Sequence, residues 1–275
     1  MPLSDDNSSL ITERDLSAIQ ADFDTLRAQL PTDAVASLAR EVLTRVSQQS
    51  RPVRQSAASL EKLANALISA DDAPLQALVE QYRRSNLRIE VLYLRHLAPA
   101  AKLLGEWWTQ DRTSLSDVAI GTGRIYALMR AYNHRLPPPI RPSGKMAFFA
   151  SVPGETHTLG VRMAADLYRR DGWNIDVEMG VPHDLLVDRI VSSGHLLVGL
   201  SAGGVHALPD LARLVLALRV SVPHALILVS GNIVAEAEDS IRLIHADAMS
   251  SSYEGARTAL ETLWERLSDA STDPA

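Results

Sequence analysis

The sequence predicts an all-α part followed by an α/β part built on a five-stranded parallel sheet. Three observations support this prediction. Apolar residues recur at helical spacing before residue 136, and short apolar runs alternate with amphipathic helices after residue 144. Between the two patterns lies a segment rich in proline, which continues neither a helix nor a central strand. Strands that alternate with helices favour a parallel sheet with helices on both faces.

Composition limits the class of protein. Of 275 residues 46% are hydrophobic and 22% are charged, enough apolar material for two packed cores. The net charge of −6 argues against direct nucleic-acid binding, which needs a clustered basic surface. The absence of cysteine excludes disulfides, thiolate metal sites and cysteine nucleophiles. With no signal peptide and no apolar stretch of about 18 residues, we expect a cytoplasmic protein without a membrane span.

The first half reads as a bundle of at least four helices. Helical spacing of apolar residues is clear at about 35–46, 60–67 and 87–108, and Pro99 predicts a kink in the third of these helices. The spacing of Ser114 and Asp117 resembles a capping box, which predicts the start of another helix. That helix presents a stripe made of Val118, Thr122, Ile125, Met129 and Tyr132.

The second half predicts strands at 146–152, 175–179, 196–200, 225–229 and near 246–249, with helices at about 157–171, 183–193, 207–219, 234–244 and 253–268. Sheets of this kind bind ligands beyond the carboxyl ends of their strands, so the chemistry is expected in the loops that follow the strands. The predicted domains are 1–30, a flexible segment; 31–135, the bundle; 136–144, a stiff linker; 145–268, the α/β domain; and 269–275, a disordered tail.

The loop after the first strand contains a carboxylate and a histidine. Glu155 stands two residues before His157, and the loop has no G-x-G-x-x-G phosphate fingerprint. A carboxylate in this position accepts a hydrogen bond from one ring nitrogen and leaves the other nitrogen free for a metal. Gly160 lets the backbone or a bulky ligand come close. His157 is therefore the candidate metal ligand.

Small residues follow the third and fourth strands and predict a slot beside the sheet for a planar group, with hydroxyls available at two of the positions. The residues concerned are Ser201, Gly203, Gly204, Ser230, Gly231 and Asn232.

This pattern resembles the cobalamin-binding domain of B12-dependent methyltransferases, mutases and photoreceptors. That family carries Asp-x-His-x-x-Gly, then Ser-x-Leu or Ser-x-Thr about forty residues on, then Gly-Gly just under thirty residues later. Here the motifs read Glu155-x-His157-x-x-Gly160, Ser201-x-Gly203 and Ser230-Gly231, in the same order and at similar spacing. Glu155, Gly203 and Ser230 depart from the family's residues.

The resemblance implies a Rossmann-like (flavodoxin-like) domain that binds cobalamin. His157 is then the lower axial ligand to cobalt, Glu155 orients it, and the displaced nucleotide tail enters a slot walled by Ser201, Gly203, Ser230 and Gly231. The form of the cobalamin is left open. The implied cofactor-binding residues are Glu155, His157, Thr158, Leu159, Gly160, Ser201, Gly203, Gly204, Ser230, Gly231, Asn232, Trp107 and Trp108.

The helical half resembles the cap that covers the upper face of the corrin. Trp107 and Trp108 stand where the light-binding part of CarH/LitR-type B12 photoreceptors carries a tryptophan above the cobalt. Adjacent helix residues point about 100° apart, so at most one faces the corrin, and Trp108 is favoured. Those photoreceptors then carry a Glu-His pair where this chain has Val118 and Ala119, which predicts a different upper face.

Residues 116–124 resemble another branch, the AerR/PpaA-type regulators, whose cobalamin-binding region is also described as a heme-sensing (SCHIC) domain. These regulators have no DNA-binding domain and act on a separate repressor of photosynthesis genes. The resemblance covers about 57–268. It implies a cobalamin-dependent sensor of light or redox state that acts as an antirepressor on a DNA-binding transcriptional regulator. Self-association is left open.

Two alternatives stay open. One is a corrinoid methyl-carrier subunit of a methyltransferase system, and the other is a heme-binding redox sensor that uses the same histidine. We expect no catalytic site of the protein's own, and a B12-dependent isomerase is disfavoured because 275 residues leave no room for a substrate barrel. Among the other histidines His206 alone borders the predicted slot.

Overall fold

Within the part of the chain that the structure describes, four helical regions precede the sheet. The computed structural model describes residues 56–85, 87–133 and 144–270. The predicted helix at 35–46, the segment 1–30, most of the linker and residues 271–275 lie outside the described residues. The helices before the sheet are α1 Ala57–Ile68, α2 Ala73–Arg84, α3 Ile89–Val91, a π-helix Leu92–Leu97, α4 Ala98–Thr109 and α5 Leu115–Asn133.

Two features of the bundle, helix α2 and a π-helix, go beyond what the sequence predicted. Helix α2 was not predicted, although a proline in its first turn and buried Leu78 and Tyr82 four residues apart are helix signals. Pro99 is accommodated by the π-helix that precedes it, because proline has no N–H for the carbonyl four residues earlier.

The capping box at the start of α5 is confirmed. The N–H of Asp117 donates to Ser114 Oγ at 3.1 Å, and the N–H of Ser114 donates to Asp117 Oδ2 at 3.1 Å. The hydrogen bonds from Ser114 hold the pKa of Asp117 below its ordinary value. Two otherwise unsatisfied donors at the helix start are thereby paired, which fixes where α5 begins.

The second half is a parallel sheet with the strand order β2-β1-β3-β4-β5, so the predicted fold class is confirmed. Its elements are β1 Met146–Ser151, α6 Leu159–Arg170, β2 Asn174–Glu178, α7 His183–Ser193, β3 Leu197–Ser201, a 3-10 turn Val205–Ala207, α8 Leu208–Ser221, β4 Leu226–Ser230, α9 Ile233–Glu236, α10 Glu238–Leu243, β5 Ala248–Ser250 and α11 Tyr253–Ala270.

Each face of the sheet has its own core. Helices α6 and α11 cover one face with residues such as Ala165 and Leu260. Helices α7, α8 and α10 cover the other face, with residues such as Leu186, Leu214 and Ile241. The strands are therefore buried on both sides, as their continuous apolar runs indicate.

The bundle packs on α6 through apolar and polar contacts. Met163 and Leu167 of α6 belong to the core of the bundle. Beside them Asn133 donates to the buried Asp166 at 2.8 Å and to the hydroxyl of Tyr93 at 3.1 Å. Within the described ranges no helix is both long and apolar enough to cross a membrane.

Candidate cofactor site

A row of serines marks the carboxyl edge of the sheet. Ser151 pairs in register with Ser201, Ser201 with Ser230, and Ser230 with Ser250. Directly paired residues of neighbouring strands lie on the same face of a sheet, so this edge presents hydroxyl groups side by side. Three of these serines, Ser201, Ser230 and Ser250, line a cavity.

The cavity, of about 190 Å³, lies between the sheet edge and helices α6 and α11. Gly160, Gly199 and Gly231 are also on its walls, and Leu94 and Ala98 of the bundle reach it. A cavity of about 150 Å³ holds benzene in another protein, so this one has room for a planar ring. Tyr168 is on the cavity wall, and its buried hydroxyl has no hydrogen-bond partner among the described residues.

His157 lies in the loop between β1 and α6, beside the carboxylate of Glu155. Its Nδ1 lies 2.7 Å from Glu155 Oε1, which also accepts the backbone N–H of His157 at 2.7 Å. The side chain of His157 is 71% exposed, whereas that of Glu155 is 0% exposed. The ring is therefore held at Nδ1, which leaves Nε2 for a metal, as predicted for a histidine with a carboxylate partner.

The electrostatics of Glu155 keep it charged. Burial by itself raises the pKa of Glu155, but hydrogen bonds from the backbone N–H groups of His157 and Gly203 and from the His157 ring outweigh it, so the pKa lies below its ordinary value. The bond from Gly203 is 2.5 Å long. A carboxylate held by several donors is a fixed, negatively charged partner for the imidazole.

The two glycines of the predicted slot have different functions. Gly203 is not on the cavity wall and lies against the Glu155–His157 pair, so its predicted contact with a cofactor stays a prediction. A Cβ there would lie 2.8 Å from His157 Nδ1 and 2.9 Å from Glu155 Oε2. Gly231 has φ +106°, and a Cβ there would lie 2.1 Å from the carbonyl oxygen of Ala202. Gly231 requires glycine for steric reasons, whereas a side chain at position 203 would have to displace the His157 ring or the Glu155 carboxylate.

The remaining predicted residues of the loops differ in their contacts. Thr158 Oγ1 is 3.0 Å from the hydroxyl of Tyr126 on α5, which links the loop to the bundle. Leu159 packs against the bundle core. Gly204 and Asn232 are outside the cavity lining, and Asn232 is exposed.

One tryptophan of the pair is buried and the other is exposed. Trp107 is 4% exposed within the bundle core, with the guanidinium of Arg112 4.8 Å from its ring centroid. Trp107 therefore packs in the bundle core, and its predicted contact with a cofactor stays a prediction. Trp108 is 47% exposed, so it remains the candidate for the upper face.

Sequence reasoning missed part of the site. Ser250 ends β5, and Ser251 and Ser252 follow it as small residues, the same signal that identified Ser201 and Ser230. Tyr168 gave no such signal, because its position on α6 reads as an ordinary core residue. His206 lies next to the pair, with Nε2 3.6 Å from Glu155 Oε2.

The fold and site define a cofactor-binding α/β domain with a packed helical companion. A family model described as a B12 binding domain matches residues 146–261, and a second model with that description matches residues 59–132. Together they take in both the bundle and the sheet. The chain belongs to the B12-binding family and is a cobalamin-binding protein.

Individual relatives are more distant. Over 105 residues the chain is 25% identical to the "Uncharacterized 20.5 kDa protein in bchF-crtJ intergenic region" of Rhodobacter capsulatus, a match that covers 38% of this chain and 55% of that protein. The chain thus spans about half the length of this curated relative.

Among solved structures, the Methanosarcina barkeri monomethylamine corrinoid protein superposes with a TM-score of 0.60 at 18% identity, over 73% of this chain and 96% of that one. The likeness is one of fold. A cobalamin-binding protein from Desulfitobacterium hafniense overlaps at a TM-score of 0.39 and 19% identity, over 74% of this chain and 97% of that one.

Proposed function

We propose that this protein is a cobalamin-dependent regulatory protein that senses light or redox state and acts through a DNA-binding transcriptional repressor. The observation that carries the proposal is the exposed imidazole of His157, held at Nδ1 by the buried carboxylate of Glu155, three residues before Gly160 on the wall of a serine-lined cavity. In this proposal Nε2 of His157 is the lower axial ligand of the cobalt.

The residues present fit the cofactor. The serine-lined cavity accepts the nucleotide tail, whose ring meets apolar walls while its polar groups meet the hydroxyls of Ser201 and Ser230. Bound cobalamin supplies a cobalt centre whose upper ligand responds to light or redox state. In this proposal the protein orients the imidazole of His157, binds the nucleotide tail in the cavity and transmits a change at the cobalt to the helical bundle.

The regulatory role has two supports. Residues 116–124 resemble the AerR/PpaA-type regulators, and the curated relative is encoded between bchF and crtJ. The bundle also contacts the loop that holds the ligand, because Tyr126 on α5 is hydrogen-bonded to Thr158, the neighbour of His157. In this proposal a change at the corrin reaches the bundle through this contact among others, and it shifts the population of bundle positions that a partner binds.

The test is an anaerobic titration with hydroxo-, methyl- and adenosylcobalamin, dark and lit, on the wild type and on His157→Ala. His224→Gln is the matched control, since His224 is exposed and outside the site. We expect the His-on absorbance spectrum in the wild type and in the control but not in His157→Ala, and the same spectra distinguish cobalamin from heme. An unchanged spectrum in His157→Ala overturns the axial role.

The regulatory half of the proposal needs its own assay. For any DNA-binding repressor encoded beside this protein, binding to its operator DNA is measured with this protein loaded with cobalamin and with the cobalamin-free protein. We expect the loaded protein to weaken or strengthen operator binding and the His157→Ala protein to have no effect. If the loaded protein leaves operator binding unchanged, the regulatory role is wrong while cobalamin binding stands.

A corrinoid methyl-carrier subunit is the second candidate. The observation in its favour is that the bundle-plus-sheet layout covers 96% of the monomethylamine corrinoid protein's chain. A methyl-transfer assay with partner methyltransferases decides between the two functions, since a regulator has no turnover there.

A further inference from the structure

We propose that Glu155, His157 and His206 form a binding site for a divalent transition ion such as Zn²⁺, and that this ion and the His-on form of cobalamin exclude one another. The inference rests on the proposed axial role of His157. One ligand atom from each of the three side chains lies within 4.8 Å of the others.

The donor set suits such an ion. Two imidazoles and one carboxylate are typical ligands of Zn²⁺ in sites that keep a position open for water. Around a tetrahedral Zn²⁺ the ligand atoms are about 3.3 Å apart, given metal–ligand bonds of about 2.0–2.1 Å. The present separations are 2.7 Å between His157 Nδ1 and Glu155 Oε1 and 3.6 Å between His206 Nε2 and Glu155 Oε2, and the ligand atoms of all three side chains lie within 4.8 Å of one another. The two imidazoles therefore have to move closer together before they share one ion.

The surroundings leave room for those shifts. The side chains of His157 and His206 are 71% and 62% exposed, and their ring centroids are 6.2 Å apart. Glu155 is fully buried and is held by the backbone N–H of Gly203, so it is the fixed member of the set. Gly203 has no side chain to occupy the space beside the cluster.

The exclusion follows from the chemistry of one ring. A neutral imidazole has a single nitrogen lone pair available for a metal. In the site proposed for the ion that lone pair is on Nδ1 of His157, the nitrogen that faces Glu155, and the proton is on Nε2. The axial role needs the reverse arrangement, with the lone pair on Nε2 and Nδ1–H donating to Glu155. His157 therefore binds either Zn²⁺ or the cobalt of cobalamin, but not both at once. The second imidazole, from His206, strengthens Zn²⁺ binding and so its competition with cobalamin.

The first test is calorimetric titration of the chelator-treated full chain with Zn²⁺. The variants are His206→Gln and, as matched control, His224→Gln. We expect one Zn²⁺ per chain in the wild type and the control, and affinity at least tenfold weaker in His206→Gln, because loss of even an outer partner of a ligand costs about 10–100-fold. Thermal unfolding without metal verifies that the variant folds, and Zn²⁺ should raise the midpoint in the wild type but not in His206→Gln. Equal Zn²⁺ affinity in His206→Gln and the wild type overturns the site.

The second test measures hydroxocobalamin affinity by absorbance with and without saturating Zn²⁺. We expect Zn²⁺ to weaken cobalamin binding in the wild type and to leave it unchanged in His206→Gln. If saturating Zn²⁺ has no effect on the wild type, the exclusion is wrong. If His157→Ala keeps the wild-type cobalamin spectrum while His206→Gln loses Zn²⁺, the axial role fails and the ion site stands.

Discussion

Nδ1 of His157 lies 2.7 Å from Oε1 of Glu155, and that carboxylate also accepts the backbone N–H groups of His157 and Gly203. The exposed imidazole is thus aimed by a partner that is itself buried and held by the backbone. A ligating side chain that is already oriented loses less conformational freedom when it binds a metal, and this favours binding.

Replacing Glu155 by Gln should weaken His-on cobalamin binding by about 10–100-fold, the usual cost of losing the outer partner of a ligating histidine. The amide keeps the shape of the side chain, but its NH₂ group cannot accept the hydrogen bond that Glu155 Oε2 or Oε1 accepts now. Absorbance titration with hydroxocobalamin measures the change. Glu254→Gln, at an exposed position, should bind as the wild type does, and a Glu155→Gln protein of unchanged affinity would show that the ring needs no orienting partner.

Gly203→Ala should weaken cobalamin binding and lower the free energy of unfolding by about 1–3 kcal/mol, as overpacking does. Its Cβ would lie 2.8 Å from His157 Nδ1 and 2.9 Å from Glu155 Oε2. The side chains of His157 and Glu155 therefore have to move away from residue 203. Gly160→Ala is the control for stability, because nothing lies within 4 Å of a Cβ there. Denaturant unfolding of both variants without cofactor should show a loss for the first variant alone.

Ser230→Leu should fill the cavity and remove the advantage that the nucleotide tail gives to cobalamin. Ser230 stands between Ser201 and Ser250 in the row of paired serines, and all three line the cavity. We expect cobalamin affinity to fall towards that of cobinamide, which has no nucleotide tail, with cobinamide affinity unchanged. Ser192→Leu, on the exposed side of α7, should alter neither. Equal losses for both corrinoids would place the tail elsewhere.

Tyr93→Phe should lower the free energy of unfolding by about 1 kcal/mol, the net value of a typical buried hydrogen bond. The hydroxyl of Tyr93 accepts from Asn133, which also donates to Asp166 on α6, so the variant loosens the contact between bundle and sheet. Chemical denaturation of the two proteins gives the difference. No loss of stability would mean that Asn133 and Asp166 suffice for this contact.

Stability should fall as the pH rises above about 10, the ordinary pKa of tyrosine. Burial raises the pKa of Tyr82 to about 12 and raises the pKa values of Tyr93, Tyr168 and Tyr253 further. A group whose pKa is raised on folding stabilises the protein fully below its unfolded pKa and loses that contribution as the pH climbs towards the folded pKa. Unfolding measured at increasing alkaline pH tests this. Ordinary tyrosinate titration by ultraviolet absorbance in the folded protein would contradict it.

Much of the architecture was predictable because the helices and strands depend on the local periodicity of apolar residues. The alternation of apolar runs and amphipathic helices gave the five strands and their helices to within a few residues, and Ser114 with Asp117 marked the start of α5. Helix α2 was missed because its buried stripe is short, with Leu78 and Tyr82 as its buried residues. The pairing of Glu155 with His157 was predictable because the two residues are close in the chain.

By itself, then, the sequence determined the elements, the motif order and the identity of the candidate ligand, since each depends on neighbours within one turn, strand or loop. Only the tertiary structure decided which distant residues share the site. Strand register brought Ser250 beside Ser230, folding of separate loops brought His206 to Glu155, and packing buried Trp107 while it left Trp108 exposed. These contacts join positions far apart in the chain, and their geometry is set by sheet register and core packing, which no local pattern encodes.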